Sequence, residues 1–128
     1  MVAPVVPAVN DSEVEAILKA ASAAGVEEAG YIILRLPHEL KDLFREWLES
    51  EFPDRAKHVY SLVQSMREGK TYDSTFGKRM KGVGPYAWSV GRRFEVMAKR
   101  LGMNEIKRDL RTDLFKRPAQ PGEQLSLL

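Results

Sequence analysis

Between Lys78 and Arg100 the chain interleaves cations with aromatic rings: Lys78, Arg79, Lys81, Tyr86, Trp88, Arg92, Arg93, Phe94, Lys99 and Arg100. Lysine and arginine at this density neutralise phosphates, and an exposed ring can stack on a base. Gly77, Gly82 and Gly84 supply backbone whose N–H groups could approach an anion. The order Gly-x-x-x-x-Gly-Lys-Ser/Thr is missing, so this is no P-loop. The expected nucleic-acid contacts are Lys78, Arg79, Lys81, Arg92 and Arg93. A competing reading places Trp88 and Phe94 in the core and leaves the cations as a solvated face docked on an acidic neighbour.

Charge distribution agrees with an anionic partner. Residues 1–74 carry eight Lys/Arg against thirteen Asp/Glu, and residues 75–117 carry twelve against four. The formal net charge of +2 conceals this asymmetry. Other reactive types are few. The chain has no cysteine, which excludes disulfides, thiol nucleophiles and cysteine-ligated metal built from its own residues. His38 and His58 stand apart without ligand-like spacing and read as surface residues. No catalytic triad and no carboxylate pair at catalytic spacing is present.

The elements that must position these residues can be read from periodicity and punctuation. Residues 2–9, apolar and broken by Pro4 and Pro7, predict a short strand ending near Pro7. Asn10, Asp11 and Ser12 offer helix caps, and Ser12 with Glu15 has capping-box spacing. Val14, Ile17, Leu18 and Ala21 form the apolar stripe of a helix over 12–24, which Gly25 stops. Tyr31–Leu36 reads as a buried parallel strand interrupted by Arg35 and closed by Pro37. Strand, helix and strand make a βαβ unit with a right-handed connection.

From residue 38 the chain turns helical. Leu40, Leu43, Phe44, Trp47 and Leu48 form one stripe. Ala56, Val59, Tyr60, Val63 and Met66 form the next, with Pro53 and Asp54 at its start. Residues 69–84 read as loop. Pro85 opens a long helix that runs to about Leu101, before Gly102. The segment beyond is polar and basic, expected to lie extended on the surface or to be partly disordered.

The fold class is therefore α/β and mostly helical. No apolar run approaches the roughly 18 residues of a membrane span, and the N-terminus lacks the basic start of a signal peptide. The cytoplasm is the expected location, with no membrane partner. Two parallel strands do not make a stable sheet alone. The chain is expected to complete a larger α/β protein or to self-associate through its strands.

Two sets of segments, and with them the ending Gln124-Leu125-Ser126-Leu127-Leu128, carry a family resemblance. Pro4-Val5-Val6-Pro7-Ala8-Val9-Asn10-Asp11, then Tyr31-Ile32-Ile33-Leu34-Arg35-Leu36-Pro37 and Glu51-Phe52-Pro53-Asp54-Arg55-Ala56, form the first. Asp73-Ser74-Thr75-Phe76-Gly77-Lys78-Arg79-Met80-Lys81-Gly82-Val83-Gly84-Pro85-Tyr86 forms the second. Together they resemble the C-terminal part of radical SAM proteins of the DNA-repair-photolyase-like group, related to spore photoproduct lyase. The resemblance implies the terminal βαβ portion of a partial TIM-type barrel over residues 1–37. It implies a helical extension over 38–102 and a basic tail over 103–128.

It also implies cofactors. Such proteins hold a 4Fe–4S cluster on a Cys-x-x-x-Cys-x-x-Cys loop, and S-adenosylmethionine binds that cluster. This chain lacks the loop, so neither cofactor is held by it alone, and activity would need the N-terminal barrel portion. A late-strand pattern, Gly-x-Ile-x-Gly-x-x-Glu, packs on the adenine in that family. Pro4, Val6, Ala8 and Asp11 fall at its spacing, with the glycines replaced and the acid shortened. Val6, Ala8, Asp11 and Arg35 are thus the implied cofactor contacts, Arg35 facing a carboxylate or phosphate. The alternative makes Val6 and Ala8 core, Asp11 a helix cap and Arg35 half of a salt bridge.

The ending Gln124-Leu125-Ser126-Leu127-Leu128 resembles the peptide by which bacterial replication and repair proteins dock on the sliding clamp. Leu128 stands where that motif has an aromatic. The whole therefore has a second reading, a non-catalytic helical module that binds nucleic acid and the clamp.

Overall fold

The computed structural model describes residues 1–106 and 111–118. Strand β1 (Val2–Val5) pairs in parallel with β2 (Tyr31–Ile33), and helix α1 (Val14–Ala23) connects them after a 3-10 turn at Asp11–Glu13. Four helices follow: α2 (Leu40–Glu51), α3 (Ala56–Ser65), the short α4 (Lys78–Lys81) and α5 (Gly84–Arg100). The chain is α/β and mostly helical, with one two-stranded parallel sheet among the described residues. No helix there is long and apolar enough to cross a membrane.

Both strands are shorter than their apolar runs predict, and side chains explain why. Val6 N–H donates to Asn10 Oδ1 at 2.7 Å, and Asn10 Nδ2 donates back to the Pro4 carbonyl at 3.1 Å. Asn10, a cap candidate by sequence, instead closes the turn that ends β1. At β2, Leu34 N–H still reaches the Val5 carbonyl at 2.9 Å, but the Leu34 carbonyl is taken by Arg67 Nη2 at 3.0 Å. The ladder stops there. The expected loop over 69–84 contains α4, and α3 starts at Ala56, leaving Pro53 and Asp54 in the preceding turn.

One core joins β1, α1 and α5. Val2, Val5, Val14 and Leu18 pack with Val90, Phe94, Met97, Ala98 and Met103. A second cluster places Val6 among Leu48, Ala56 and Val59, which fixes α2 and α3 beside the sheet. Met103 is buried, and Asn104 exchanges hydrogen bonds of 2.8 and 2.9 Å with the backbone of Ala29. The first residues beyond Gly102 are therefore tied to the start of β2, where an extended surface segment was expected.

Gly91 marks the tightest approach. A Cβ there would lie 2.5 Å from Tyr31 Oη, and the Tyr31 ring packs on Phe94 with centroids 4.8 Å apart. Alanine normally gains up to about 1 kcal/mol over glycine inside a helix. Here overpacking of about 1–3 kcal/mol opposes that gain. Gly91→Ala is expected to lower the thermal midpoint in the native background and to raise it beside Tyr31→Phe, which removes the obstructing hydroxyl. Calorimetry of the four variants reads this; stabilisation in both backgrounds would refute the close contact.

Candidate functional site

The loop leaving β1 is held by a polar network across the molecule. Ala8 takes φ 55°, a conformation that glycine adopts without strain. Its N–H donates to Tyr86 Oη at 3.2 Å, and the Tyr86 hydroxyl donates to Asp11 Oδ2 at 3.0 Å. Arg93 Nη1 reaches the same oxygen at 3.3 Å. Arg93 Nε and Nη2 each meet a Glu15 oxygen at 2.7 Å, and Nη2 also donates to the Asp11 carbonyl at 2.9 Å. The hydrogen bonds from Arg93 hold the Glu15 carboxyl below its ordinary range. Burial, then the bond to Asp11, pushes the Tyr86 phenol up.

This geometry reassigns several sequence expectations. No side chain caps the 3-10 turn or α1, so the Ser12–Glu15 capping box does not form; Arg93 claims Glu15 instead. Asp11 is buried and does not act as a helix cap. Arg93 is engaged on two carboxylates, apart from the cations of the outer face. Val6 lies in the second core cluster, and Ala8 packs half-buried at its rim.

At the carboxyl end of β2 two guanidinium groups come together. Arg35 donates from Nη2 to Tyr72 Oη at 3.0 Å and from Nη1 to Met80 Sδ at 3.8 Å, while its buried Nε has no partner. Arg67 is 1% exposed and donates to the carbonyls of Leu34 and Lys78, at 3.0 and 2.9 Å. Burial pushes the Arg67 pKa down; Asp73 opposes this and the charge on Arg35 adds to it. Neither arginine forms a salt bridge with a carboxylate among the described residues, so Arg35 does not take the salt-bridge role. Open α/β sheets hold their ligands at this end of their strands. Sequence reading missed Arg67. Its signal was spacing, because it continues the buried stripe of Val59 and Val63 by four residues.

The basic face lies on α4, the turn after it and α5. Lys78 pairs with Glu68 at 2.9 Å, which raises the Lys78 pKa. The Arg79 guanidinium lies 5.5 Å from the Phe76 ring centre, and Lys81 Nζ 5.9 Å from that of Tyr31. Arg92 approaches Glu95 at 3.6 Å. Phe94 is buried as expected of a core ring, but Trp88 is 71% exposed. It lines a groove of about 390 Å³ with Tyr31, Lys81, Gly84, Arg92 and Glu95. The glycine turn is less open to an anion than its composition suggests. Gly82 N–H donates to the Lys78 carbonyl at 2.8 Å, and Val83 N–H to that of Met66 at 3.0 Å. A Cβ on Gly82, at φ 70°, would press to 3.2 Å from the Met66 carbonyl, so the turn is pinned to the end of α3.

No protein-family model, curated protein or solved structure matches this chain. The chemistry of the site therefore rests on its own residues. Among those described, no group of His, Cys, Asp and Glu is arranged to hold a metal ion. What the geometry offers is a pair of carboxylate-free arginines at a strand end and, separately, an exposed indole between cations. The clamp-like Gln124, Leu125, Leu127 and Leu128 lie outside the described residues.

Proposed function

We propose that this chain is the C-terminal part of a cytoplasmic radical SAM iron–sulfur protein acting on or near nucleic acid. Residues 1–37 would close a partial TIM-type barrel, residues 38–102 would form its helical extension, and residues 103–128 a basic tail. The observation that carries this reading is the parallel pair β1–β2. Its residues Val2, Val5 and Ile33 are buried, yet neither outer edge meets another strand among the described residues. Parallel strands ordinarily lie within larger sheets covered on both faces. Leu40, Leu43 and Trp47 also leave apolar surface on α2 that further protein would cover. Ala8 supports the same reading, because its positive φ stands where the family's late-strand pattern has glycine.

S-adenosylmethionine fits part of this set. The short Ala8 side chain lets backbone approach an adenine, and Arg35 brings a guanidinium with an unpartnered Nε. Asp11 and Val6 are engaged within the fold and would hold the loop in place. A 4Fe–4S cluster does not fit this chain, which has no cysteine; its ligands would come from the rest of the barrel. Bound there, S-adenosylmethionine would supply the radical chemistry, and the residues of this chain would bind and orient it.

The test begins with the DNA upstream of the Met1 codon. We expect a frame encoding Cys-x-x-x-Cys-x-x-Cys, and a joint product that carries iron and sulfide. Arg35→Ala should weaken its S-adenosylmethionine binding by roughly tenfold or more, the loss of a charged hydrogen bond. No such frame, together with a folded monomer indifferent to the ligand, would overturn the proposal. The exposed Trp88 on a basic face favours a second reading, a non-catalytic module that recruits nucleic acid.

A further inference from the structure

We infer that the groove at Trp88 is a stacking site for an unpaired nucleotide of a single-stranded nucleic acid. The inference rests on the nucleic-acid side of the function proposed above and is independent of the radical SAM assignment. An indole is a costly group to leave in water, and Trp88 stands exposed on α5, whose buried face packs into the core with α1 and β1. Its neighbours Ala87, Val90 and Gly91 are all buried, so the ring is presented on a rigid base. The buried stripe of α5 runs through Ala87, Val90, Phe94 and Met97. Trp88 belongs to the opposite stripe, with Arg92, Glu95 and Lys99, which rises roughly 16 Å along the helix.

Charge selects the occupant. Lys81 and Arg92 flank the indole, and the next depression along α5 is lined by Arg92, Lys99 and Arg100. Cations along a track with an aromatic platform between them are the recognition chemistry of single strands. A duplex keeps its base faces stacked inside, where this ring has no access to them. Glu95 lines both depressions and pairs with Arg92, which offsets part of the Arg92 charge and leaves Lys81 without such a partner among the ion pairs of the groove. Backbone phosphates are therefore expected toward Lys81, and the base over Trp88.

The experiment uses the full chain and labelled oligonucleotides of about 12 nucleotides, within the usual footprint of such grooves. Anisotropy is measured with single-stranded and hairpin-duplex probes at two salt concentrations. Trp88 emission is followed in a Trp47→Phe background. We expect tighter binding of the single strand, with quenching of Trp88. Trp88→Ala should weaken binding roughly 5- to 100-fold while the far-ultraviolet circular dichroism stays unchanged, and Trp88→Phe should retain most of the affinity. Lys81→Glu should cost more than Arg92→Glu and lower the salt slope by about 1.

Equal affinity of Trp88→Ala and the native chain would overturn the inference. So would duplex binding as tight as single-strand binding without quenching. A concentration-dependent shift of Trp88 emission with dimer formation and no oligonucleotide effect would make the groove a self-interface instead. Failure to bind any oligonucleotide would remove the nucleic-acid side of the proposed function as well. The iron and S-adenosylmethionine results above would then still decide the radical SAM assignment separately.

Discussion

Arg67→Ala should cost about 3–5 kcal/mol, the largest effect of any single substitution expected here. The side chain is 1% exposed and bridges the end of β2 to α4 through the carbonyls of Leu34 and Lys78. Truncation leaves a cavity and strips both carbonyls of a charged donor. A domain of this size has about 5–15 kcal/mol in total, so the loss would consume much of the stability. Arg67→Met separates the causes: it keeps most of the volume, and its cost of about 2 kcal/mol would measure the unsatisfied carbonyls alone. Urea denaturation followed by circular dichroism checks both variants. A midpoint for Arg67→Ala within experimental error of the native chain would refute the bridging role. Arg67→Met more stable than the native chain would mean that the buried charge burdens the fold and is retained for an anion beside Arg35.

Arg93→Met comes second, at about 2 kcal/mol. A buried ion pair broken on one side loses about 3–5 kcal/mol, but the Arg93 side chain is 36% exposed and the effect is discounted for solvent screening. The change leaves Asp11 with Tyr86 as its side-chain donor and releases Glu15. Its pH dependence follows from the direction of the shifts. Glu15 is held below its ordinary value of 4.5, so its contribution is present above that value and is lost as the pH falls through the lowered one. The gap between native and Arg93→Met should be full at neutral pH and should narrow in acid. Tyr86 is displaced upward from 10.0, so its contribution persists below that value and is lost as the pH rises through the raised one. Tyr86→Phe should flatten that alkaline limb. Thermal midpoints across pH read both limbs, and a gap that stays constant into strong acid would show that Glu15 does not depend on Arg93.

Much of the architecture was legible because it is local. Gly25 and Gly102 bound α1 and α5 close to where punctuation places them, and Pro85 falls in the first turn of α5. Parallel pairing followed from the apolar run at 31–36. The exposure of Trp88 was legible too. Six residues separate it from Phe94, which on a helix puts the two rings on different faces. Phe76, 87% exposed beside α4, carried no periodic signal at all.

The sequence by itself determined the order of elements apart from the short α4, the α/β class, the basic C-terminal third and the impossibility of thiolate chemistry within this chain. Each follows from composition or from spacing within a few residues. Only the tertiary structure decided which charged groups are spent and which are free. Asp11 and Arg93 lie 82 positions apart, and Arg67 and Leu34 lie 33 apart. Packing α5 on α1, and the end of α3 on β2, brings those groups together. Burial then makes an unpaired charge or carbonyl too costly to leave, so the partners are chosen by desolvation across the fold, which no local pattern encodes.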